Sequence, residues 1–524
     1  MIRRTIGTAF RDRILWRGSL CFRRFPISLL LFSAVRFFPS HISLPSRIVL
    51  TALILYSVSS FALGAEVAIQ PPNVLFIAID DLNDWVGCLG GHPQARTPNI
   101  ARLAARGTNF INAHCQAPIC NPSRLSLLTG KLPSSTGVYY LTPLIRRYEG
   151  TRDLVTLPQH FQTNGYRTLG AGKIFHGEDD LEFDEHAGNF GGFGPLPKSP
   201  LVTKKGGKVH PLWDWGSFPE RDDQMPDAKI AQWATDQLEC EHNKPFFLAV
   251  GFYRPHVPLY APQKWFDQFP LSDVQLPTNQ PNDLNDVPQY GQDLSWSGVV
   301  PRHQWIVKND QWKHAVQAYL ASILFVDAQV GKVLDALENS QHAENTVIIL
   351  WSDHGFHLGT KQRWGKRSLW EASTKVVMMA CGPDITPGQR CKWPVGLIDI
   401  FPTLVDLCGL SPLEGLEGHS LVPQLNDASA ARPWPALTTF GQDNHAVRTK
   451  HWRYIQYVDG SQELYNRRTD PHEFYNLASD KKYDAVMAEH RSYFPKINLP
   501  MAPGSTHADA RPGSAADIDG VPRD

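Results

Sequence analysis

The stretch Asn73-Val-Leu-Phe-Ile-Ala-Ile79, entered through Pro71-Pro72 and ending in Asp80-Asp81, decides the fold. An apolar run without polar alternation is the pattern of a strand buried on both faces, and such strands belong to parallel sheets covered by helices. Outward from it the pattern repeats. Thr346-Val-Ile-Ile-Leu-Trp351 ends in Asp353-His354-Gly355, and Phe246-Phe-Leu-Ala-Val250 leads into Arg254-Pro255-His256. A weaker run, Tyr166–Gly170, leads into Lys173 and His176, and Lys375–Ala380 reads as a fifth strand. Helical patterns lie between them, the best over about 312–338, with Ala, Leu, Val and Ile at three- and four-residue intervals. This alternation predicts an α/β fold: a large, mostly parallel sheet flanked by helices, followed by a smaller C-terminal α+β subdomain. Four of the runs end in chemically capable residues. The carboxyl edge of such a sheet is where ligands bind, so these clusters are expected to form one site.

The chain has 524 residues, with 51 Lys+Arg against 51 Asp+Glu and 42% hydrophobic residues. That content supports a large core and excludes a disordered or fibrous chain. The zero net charge hides an asymmetry. Residues 1–65 carry nine Arg and one acid, a net of +8, leaving 42 basic and 50 acidic residues, a net of −8. A domain of that sign is unsuited to nonspecific nucleic-acid binding, so any anion must be held by a local pocket. Arg47 precedes the apolar run Ile48–Ala62, and Gly64 and Ala65 follow it. These are the parts of a secretory signal cleaved near Ala65. An uncleaved anchor competes, because the run approaches bilayer-spanning length, and Arg23-Arg24 offers a twin-arginine alternative far inside the chain. The expectation is a secreted or periplasmic protein without stable membrane association after cleavage.

The expected organisation is an export region over 1–65, a catalytic domain over 66–411, a C-terminal subdomain over 412–499 and a disordered tail over 500–524. The subdomain is read from strand-like pieces at Ala436–Phe440, Trp452–Val458 and Glu463–Tyr465. Residues about 188–230 and 270–305 lack periodicity and read as long loops that shape a pocket. Within the first, Gly188-Asn-Phe-Gly-Gly-Phe-Gly194 joins no strand to a helix, so it reads as a plain loop and not a nucleotide fingerprint. Processing leaves seven cysteines, an odd number that singles one out. Cys381 and Cys391 are read either as a local disulfide or as packing residues.

Cys120 is the cysteine set apart. In Cys120-Asn121-Pro122-Ser123-Arg124-Leu-Ser-Leu-Leu-Thr-Gly130, Asn121 suits an N-cap, Pro122 the first helical position and Gly130 a stop. A thiol at a helix start, with Arg124 a turn later, points to a reactive cysteine beside an anion site. A buried structural cysteine competes, as does a zinc site from His114, Cys115 and Cys120, which lacks a paired C-x-x-C.

Cys-x-Pro-Ser-Arg followed by Leu-Thr-Gly resembles the maturation and active-site motif of the sulfatase family, and Thr97–Asn112 is also sulfatase-like. The resemblance runs from Asn73 to about Ala478. Gly172–His176, Phe246–Pro258, Ser352–Gly355 and Trp364-Gly-Lys366 are similar to the iduronate-2-sulfatase branch and its bacterial relatives. The resemblance implies an alkaline phosphatase/sulfatase-like fold. It also implies that a formylglycine-generating enzyme oxidises Cys120 to formylglycine, hydrated as a geminal diol. One hydroxyl attacks sulfur and expels the alcohol; the other loses its proton and expels sulfate as the aldehyde re-forms.

By the same resemblance, Asp80, Asp81 and Asp353 are ligands of one Ca²⁺, with residue 120 beside it. His354 takes a fourth side-chain position or contacts the diol or sulfate. Arg124 and Lys173 steady the cluster, His176 hydrogen-bonds the diol, and His256 and Lys366 clasp the sulfate, His256 as general acid. His357, Arg254, Trp364 and Arg448 are candidates for the substrate subsite. The function implied is hydrolysis of sulfate esters on a sulfated oligosaccharide or polysaccharide. A phosphate or phosphonate ester hydrolase of the same superfamily, and a non-catalytic binder of sulfated glycans, are the alternatives.

Overall fold

The computed structural model describes residues 71–177, 181–202, 212–296 and 300–505. The expected export region and residues 506–524 of the expected tail lie outside them. The main sheet has eight strands: β1 (Asn73–Ile79), β2 (Thr108–Phe110), β3 (Arg167–Gly172), β4 (Glu185–His186), β5 (Phe246–Phe252), β6 (Thr346–Ser352), β7 (Met378–Cys381) and β8 (Gln389–Cys391). Their spatial order is β8-β2-β7-β6-β1-β5-β3-β4. β1 lies parallel between β5 and β6, β3 is parallel to β5, and β7 alone runs antiparallel to both its neighbours.

Every residue of β1, β5 and β6 is buried, which is why these runs are apolar throughout. Alternate residues serve opposite faces. Leu75, Ile77 and Ile79 pack with helices α1 (Pro98–Arg106), α3 (Pro226–Glu239) and α4 (Trp312–Glu338). Val74, Phe76 and Ala78 pack on the other face with α2 (Cys120–Thr129) and α5 (Ile400–Leu407). The bounds of α4 match the helical period of the sequence. No helix among the described residues is long and apolar enough to cross a membrane.

The fifth expected strand divides. Lys375–Val376 pairs antiparallel with Ala113–His114 in a small separate sheet, while Met378–Cys381 joins the main one. Ser352 holds the transition, donating its N–H to Val377 O and accepting the Val377 N–H at Oγ, both at 2.9 Å. The expected long loops are also partly ordered: they contain the strand Trp215–Ser217, the start of α3, and short helices at Gln289–Leu294 and His303–Lys308. All seven described cysteines are free. Cys381 and Cys391 lie on β7 and β8, the strands on either side of β2, about 10 Å apart by strand spacing and beyond disulfide reach.

The C-terminal sheet is four antiparallel strands: β9 (Ala436–Thr439), β10 (His445–Arg448), β11 (Trp452–Gln456) and β12 (Gln462–Asn466). β10, not among the strands expected from the sequence, completes it. Buried polar contacts tie this sheet to the segment after β6. Arg453 Nη2 bonds Glu371 Oε2 at 2.6 Å, Arg453 Nη1 donates to Leu369 O, and Trp370 Nε1 donates to Glu463. Arg453 Nε approaches Glu473 Oε1 at 2.8 Å, an ion pair without hydrogen-bond alignment. Residues 500–505, the start of the expected tail, are described, and Ala502 among them is buried with its N–H on Gly137 O.

Candidate active site

The registers bring four strand ends level. Ile79 stands opposite Phe252 of β5 and Ser352 of β6, and Gly172 of β3 stands opposite Gly251. The residues that follow therefore meet at one edge: Asp80-Asp81 after β1, Lys173 after β3, the 253–258 loop after β5 and Asp353-His354 after β6. Asp80, Asp81, Asp353 and His354 have no exposed surface. Asp81 has φ +60°, a costly backbone state for a residue with a side chain, and its N–H bonds Asp353 Oδ1 at 3.0 Å while Tyr319 Oη bonds its carbonyl.

Cys120 opens α2 beneath this edge. The cap is Ile119 in extended conformation, not Asn121. Asn121 is already helical, and its amide donates to Tyr140 O and Pro143 O, securing the 140–143 loop. Gly130 ends the helix at φ +67°, its N–H on Ser126 O, as the sequence indicates. Cys120 Sγ lies 3.6 Å from Asp80 Oδ1, 3.3 Å from His354 Nε2 and 3.1 Å from Lys366 Nζ, and His176 shares the cavity wall with it. Burial opposes its ionisation, but the charges of Lys173, Lys366 and His354 outweigh that and hold the thiol well below its ordinary range. His114 and Cys115 point elsewhere, to Asn112 and Ser373 O, so the zinc grouping does not form.

Around the thiol, opposite charges interlock. Arg124 bonds Asp353 Oδ2 at 2.9 Å and Asp80 Oδ1 at 3.1 Å, and its Nη1 donates to Lys173 O and Ile174 O. Lys173 Nζ bonds Asp80 Oδ2 at 2.6 Å; Lys366 Nζ bonds Asp81 Oδ1 at 2.5 Å. Burial would raise the Asp80 carboxyl, yet Lys173 and its other cationic neighbours hold it far below the usual range. Burial dominates at Asp353 and pushes it up to about 6. His354 Nδ1 bonds Gly355 O, which turns Nε2 toward Asp81 and Asp353 at 3.3 and 3.5 Å.

One donor atom from each of Asp80, Asp81, Cys120, Asp353 and His354 lies within 4.8 Å of every other. Oxygen ligands at 2.3–2.6 Å from a Ca²⁺-sized ion stand at most about 5 Å apart, so the spacing suits one such cation. Asp81 Oδ2 is buried without a hydrogen-bond partner, an orphaned anionic oxygen that a cation would satisfy. The donor set fits a hard divalent ion.

A cavity of about 310 Å³ opens onto Asp81, Cys120, His176, His256 and Lys366. All ten residues expected at the site thus lie at this edge, either in the charged cluster or on the cavity wall. The rest of the wall comes largely from the two long loops expected to shape a pocket, although its residues were not singled out: Phe193, Leu212 and Trp213 from the first and Val300 from the second, joined by Phe356 and Arg367 among others. Phe193 comes from the glycine-rich stretch read as a plain loop. Its ring lies 4.4 Å from that of His256, and Lys173 Nζ sits 5.1 Å over it. Two aromatics among glycines, Phe190 and Phe193, were the available signal. Conversely, the four candidates for a substrate subsite do not line this cavity. His357 bonds Ser368 Oγ, Trp364 donates to His303, Arg448 pairs with Glu371, and Arg254 turns inward.

The Sulfatase family model matches residues 72–410, and the model for the C-terminal part of N-sulphoglucosamine sulphohydrolase matches residues 359–498. A sulfatase of Formosa agariphila is 43% identical over 443 residues, covering 82% of this chain and 87% of that protein. Iduronate 2-sulfatase of Mus musculus is 32% identical over 406 residues, covering 67% of this chain and 72% of its own. The phosphonate monoester hydrolase of Silicibacter pomeroyi shares the fold, with a TM-score of 0.67 at 20% identity over 85% of this chain and 100% of that one. A match over the whole α/β region, joined to a reactive thiol set among buried carboxylates at the sheet's carboxyl edge, identifies the chain as a member of the sulfatase family, a sulfuric ester hydrolase.

Proposed function

We propose that this protein is an exported, Ca²⁺-dependent sulfatase that removes sulfate from a sulfated saccharide by way of a formylglycine formed from Cys120. The observation that carries the proposal is the position of Cys120 Sγ. It lies within 3.1–3.6 Å of Lys366, His354 and Asp80, where a formylglycine hydrate would place its attacking oxygen. Formylglycine supplies a geminal diol, and with it both a nucleophilic hydroxyl and a route for releasing bound sulfate. Ca²⁺ held by Asp80, Asp81, Asp353 and His354 supplies positive charge that acidifies a nearby hydroxyl and orients a sulfate oxygen.

The chain's own residues do the remaining work. Arg124 and Lys173 keep Asp80 ionised and aimed, and Arg124 also fixes Asp353. His176 stands on the cavity wall beside residue 120, where it would hydrogen-bond a diol hydroxyl and orient it. Lys366 reaches both Asp81 and residue 120, so its ammonium stands beside the oxygens that gain charge in the transition state. His256 Nδ1 bonds Val257 O at 2.6 Å, so the proton for the departing alcohol would come from Nε2 of the protonated ring, which lies 3.7 Å from Asp81 Oδ2. Aromatic and aliphatic walls exclude water, and Lys366 and Arg367 favour an anionic substrate. The kinship with an iduronate 2-sulfatase supports a sulfated uronic acid as the sugar.

The test is release of inorganic sulfate from a panel of sulfated saccharides by protein co-produced with a formylglycine-generating enzyme, with Cys120→Ala as control. Release from one sugar class, absent in the control, supports the proposal. No release across the panel from protein whose residue 120 is converted, as seen by mass, counts against the saccharide assignment. The fold shared with a phosphonate monoester hydrolase favours a second reading, phosphate or phosphonate ester hydrolysis. Turnover of those esters above that of the sulfates would establish it instead.

A further inference from the structure

Arg254 is 1% exposed and outside the cavity, yet it directs every nitrogen of its guanidinium to a backbone carbonyl. Nε donates to Tyr260 O at 3.1 Å, Nη1 to His256 O at 3.0 Å and Nη2 to Phe193 O at 2.9 Å. Of these carbonyls, that of His256 belongs to the 253–258 loop and that of Tyr260 to the strand Leu259–Ala261 directly after it. The third belongs to the separate glycine-rich loop whose Phe193 ring packs on the His256 ring. Asp227, at the start of α3, seats the arrangement: its carboxylate accepts the backbone N–H groups of Tyr253 and Arg254 at 2.8 and 3.0 Å.

Burying a guanidinium costs several kcal/mol even after relaxation, and here no carboxylate hydrogen-bonds it directly. His256 and Phe193 themselves lie outside any helix or strand, and a proton donor displaced by about 1 Å loses much of its effect. We infer that Arg254 is the positioning residue for His256: by clamping carbonyls of two loops it fixes the imidazole and its Phe193 backing at the leaving-group side of the cavity. This rests on the assignment of His256 as proton donor made above. Arg254 does not touch substrate, so its removal is expected to affect turnover and not affinity.

The experiment uses full-length, matured protein and the saccharide sulfate hydrolysed in the panel. Arg254→Lys, His256→Ala and the double variant are compared for kcat and KM. Arg254→Lys is expected to lower kcat about 100-fold, the lower end of what general acid catalysis supplies, with KM within about twofold. The double variant is expected to be no slower than His256→Ala alone. Asp227→Asn, nearly isosteric, serves as the second variant should Arg254→Lys fold poorly, and is expected to show the same non-additivity with His256→Ala. An activated aryl sulfate gives an independent readout, since its leaving group needs no proton: there Arg254→Lys and His256→Ala are both expected within about fivefold of the parent. Losses that multiply in the double variant, or an Arg254→Lys loss equal on both substrates while His256→Ala discriminates, would overturn the positioning role and leave the His256 assignment standing. If His256→Ala itself does not discriminate, the proton-donor assignment falls and this inference with it.

Discussion

Three buried carboxylates around one thiol would repel one another and the thiolate were it not for Arg124, Lys173 and Lys366 threaded between them. Each cation therefore has a separate consequence. Lys366→Ala removes the ammonium shared by Asp81 and residue 120, and is expected to lower kcat about 100- to 1,000-fold, the range seen when a transition-state charge partner is lost. Steady-state kinetics on the saccharide sulfate checks this. The orphaned Asp81 Oδ2 predicts a metal-linked stability. Chelation should lower the melting temperature by several degrees, and Ca²⁺ at 100 times its Kd should restore about 2.7 kcal/mol. Indifference of the melt to both would contradict the cation site. At this scale the sequence was most legible, because Asp80, Asp81, Lys173, His256 and Asp353 announce themselves by type at the ends of apolar runs. Side-chain direction was not: Asn121 looked like a cap and is a loop anchor, and Arg254 looked like a substrate contact and is buried behind the site.

The elements reach this site by unusually close approach. Gly172 has φ +76°, and a Cβ there would stand 2.0 Å from Gly251 O; a Cβ on Gly251 would stand 2.3 Å from Lys173 O. β3 and β5 can thus converge only with glycine at both positions, and their convergence is what carries Lys173 to Asp80. Gly251→Ala is expected to cost about 3 kcal/mol of stability through overpacking. It should also lower activity at least about 100-fold by shifting Lys173; a denaturant melt and kinetics on the same sample read both effects. A variant with parental activity would refute the link. The sequence showed where these strands lie, but a glycine within a strand looks the same whether it eases a turn or admits a neighbouring chain.

Across the whole molecule, the C-terminal sheet supports the catalytic edge. Arg453 has no exposed surface and bridges Glu371, which follows Lys366 closely along the chain, to Glu473 of the C-terminal part. Replacing it by Met leaves Glu371 to Arg448 and Arg467 and Glu473 to Arg467 alone, and is expected to cost about 1–3 kcal/mol. Thermal or denaturant unfolding measures it, and a loss below 1 kcal/mol would mean the network is not a brace. Stability should also fall in mild acid. Burial depresses His445 to about 4 and His357 to about 3. Between the ordinary histidine value and those pH values the unfolded chain takes up protons that the folded one refuses, so stability drops as pH falls from about 6.5 toward 4. Glu371 does not add to that drop: burial raises it, but Arg448, Arg467 and Arg453 hold it well below the carboxylate range, and its contribution is lost only as pH falls through that depressed value. Melting temperatures measured from pH 7 to pH 4.5 test the slope, which His445→Gln should make shallower. By itself the sequence determined the α/β class, the helix over 312–338 and the order of reactive residues along the sheet edge, since these follow from local periodicity and residue type. Tertiary structure alone decided the antiparallel β7, the aromatic wall of the cavity, the inward turn of Arg254 and the brace at Arg453. Those features depend on partners 61 and 82 residues away in Arg254–Phe193 and Arg453–Glu371, and a contact at such separations leaves no period in the chain to read.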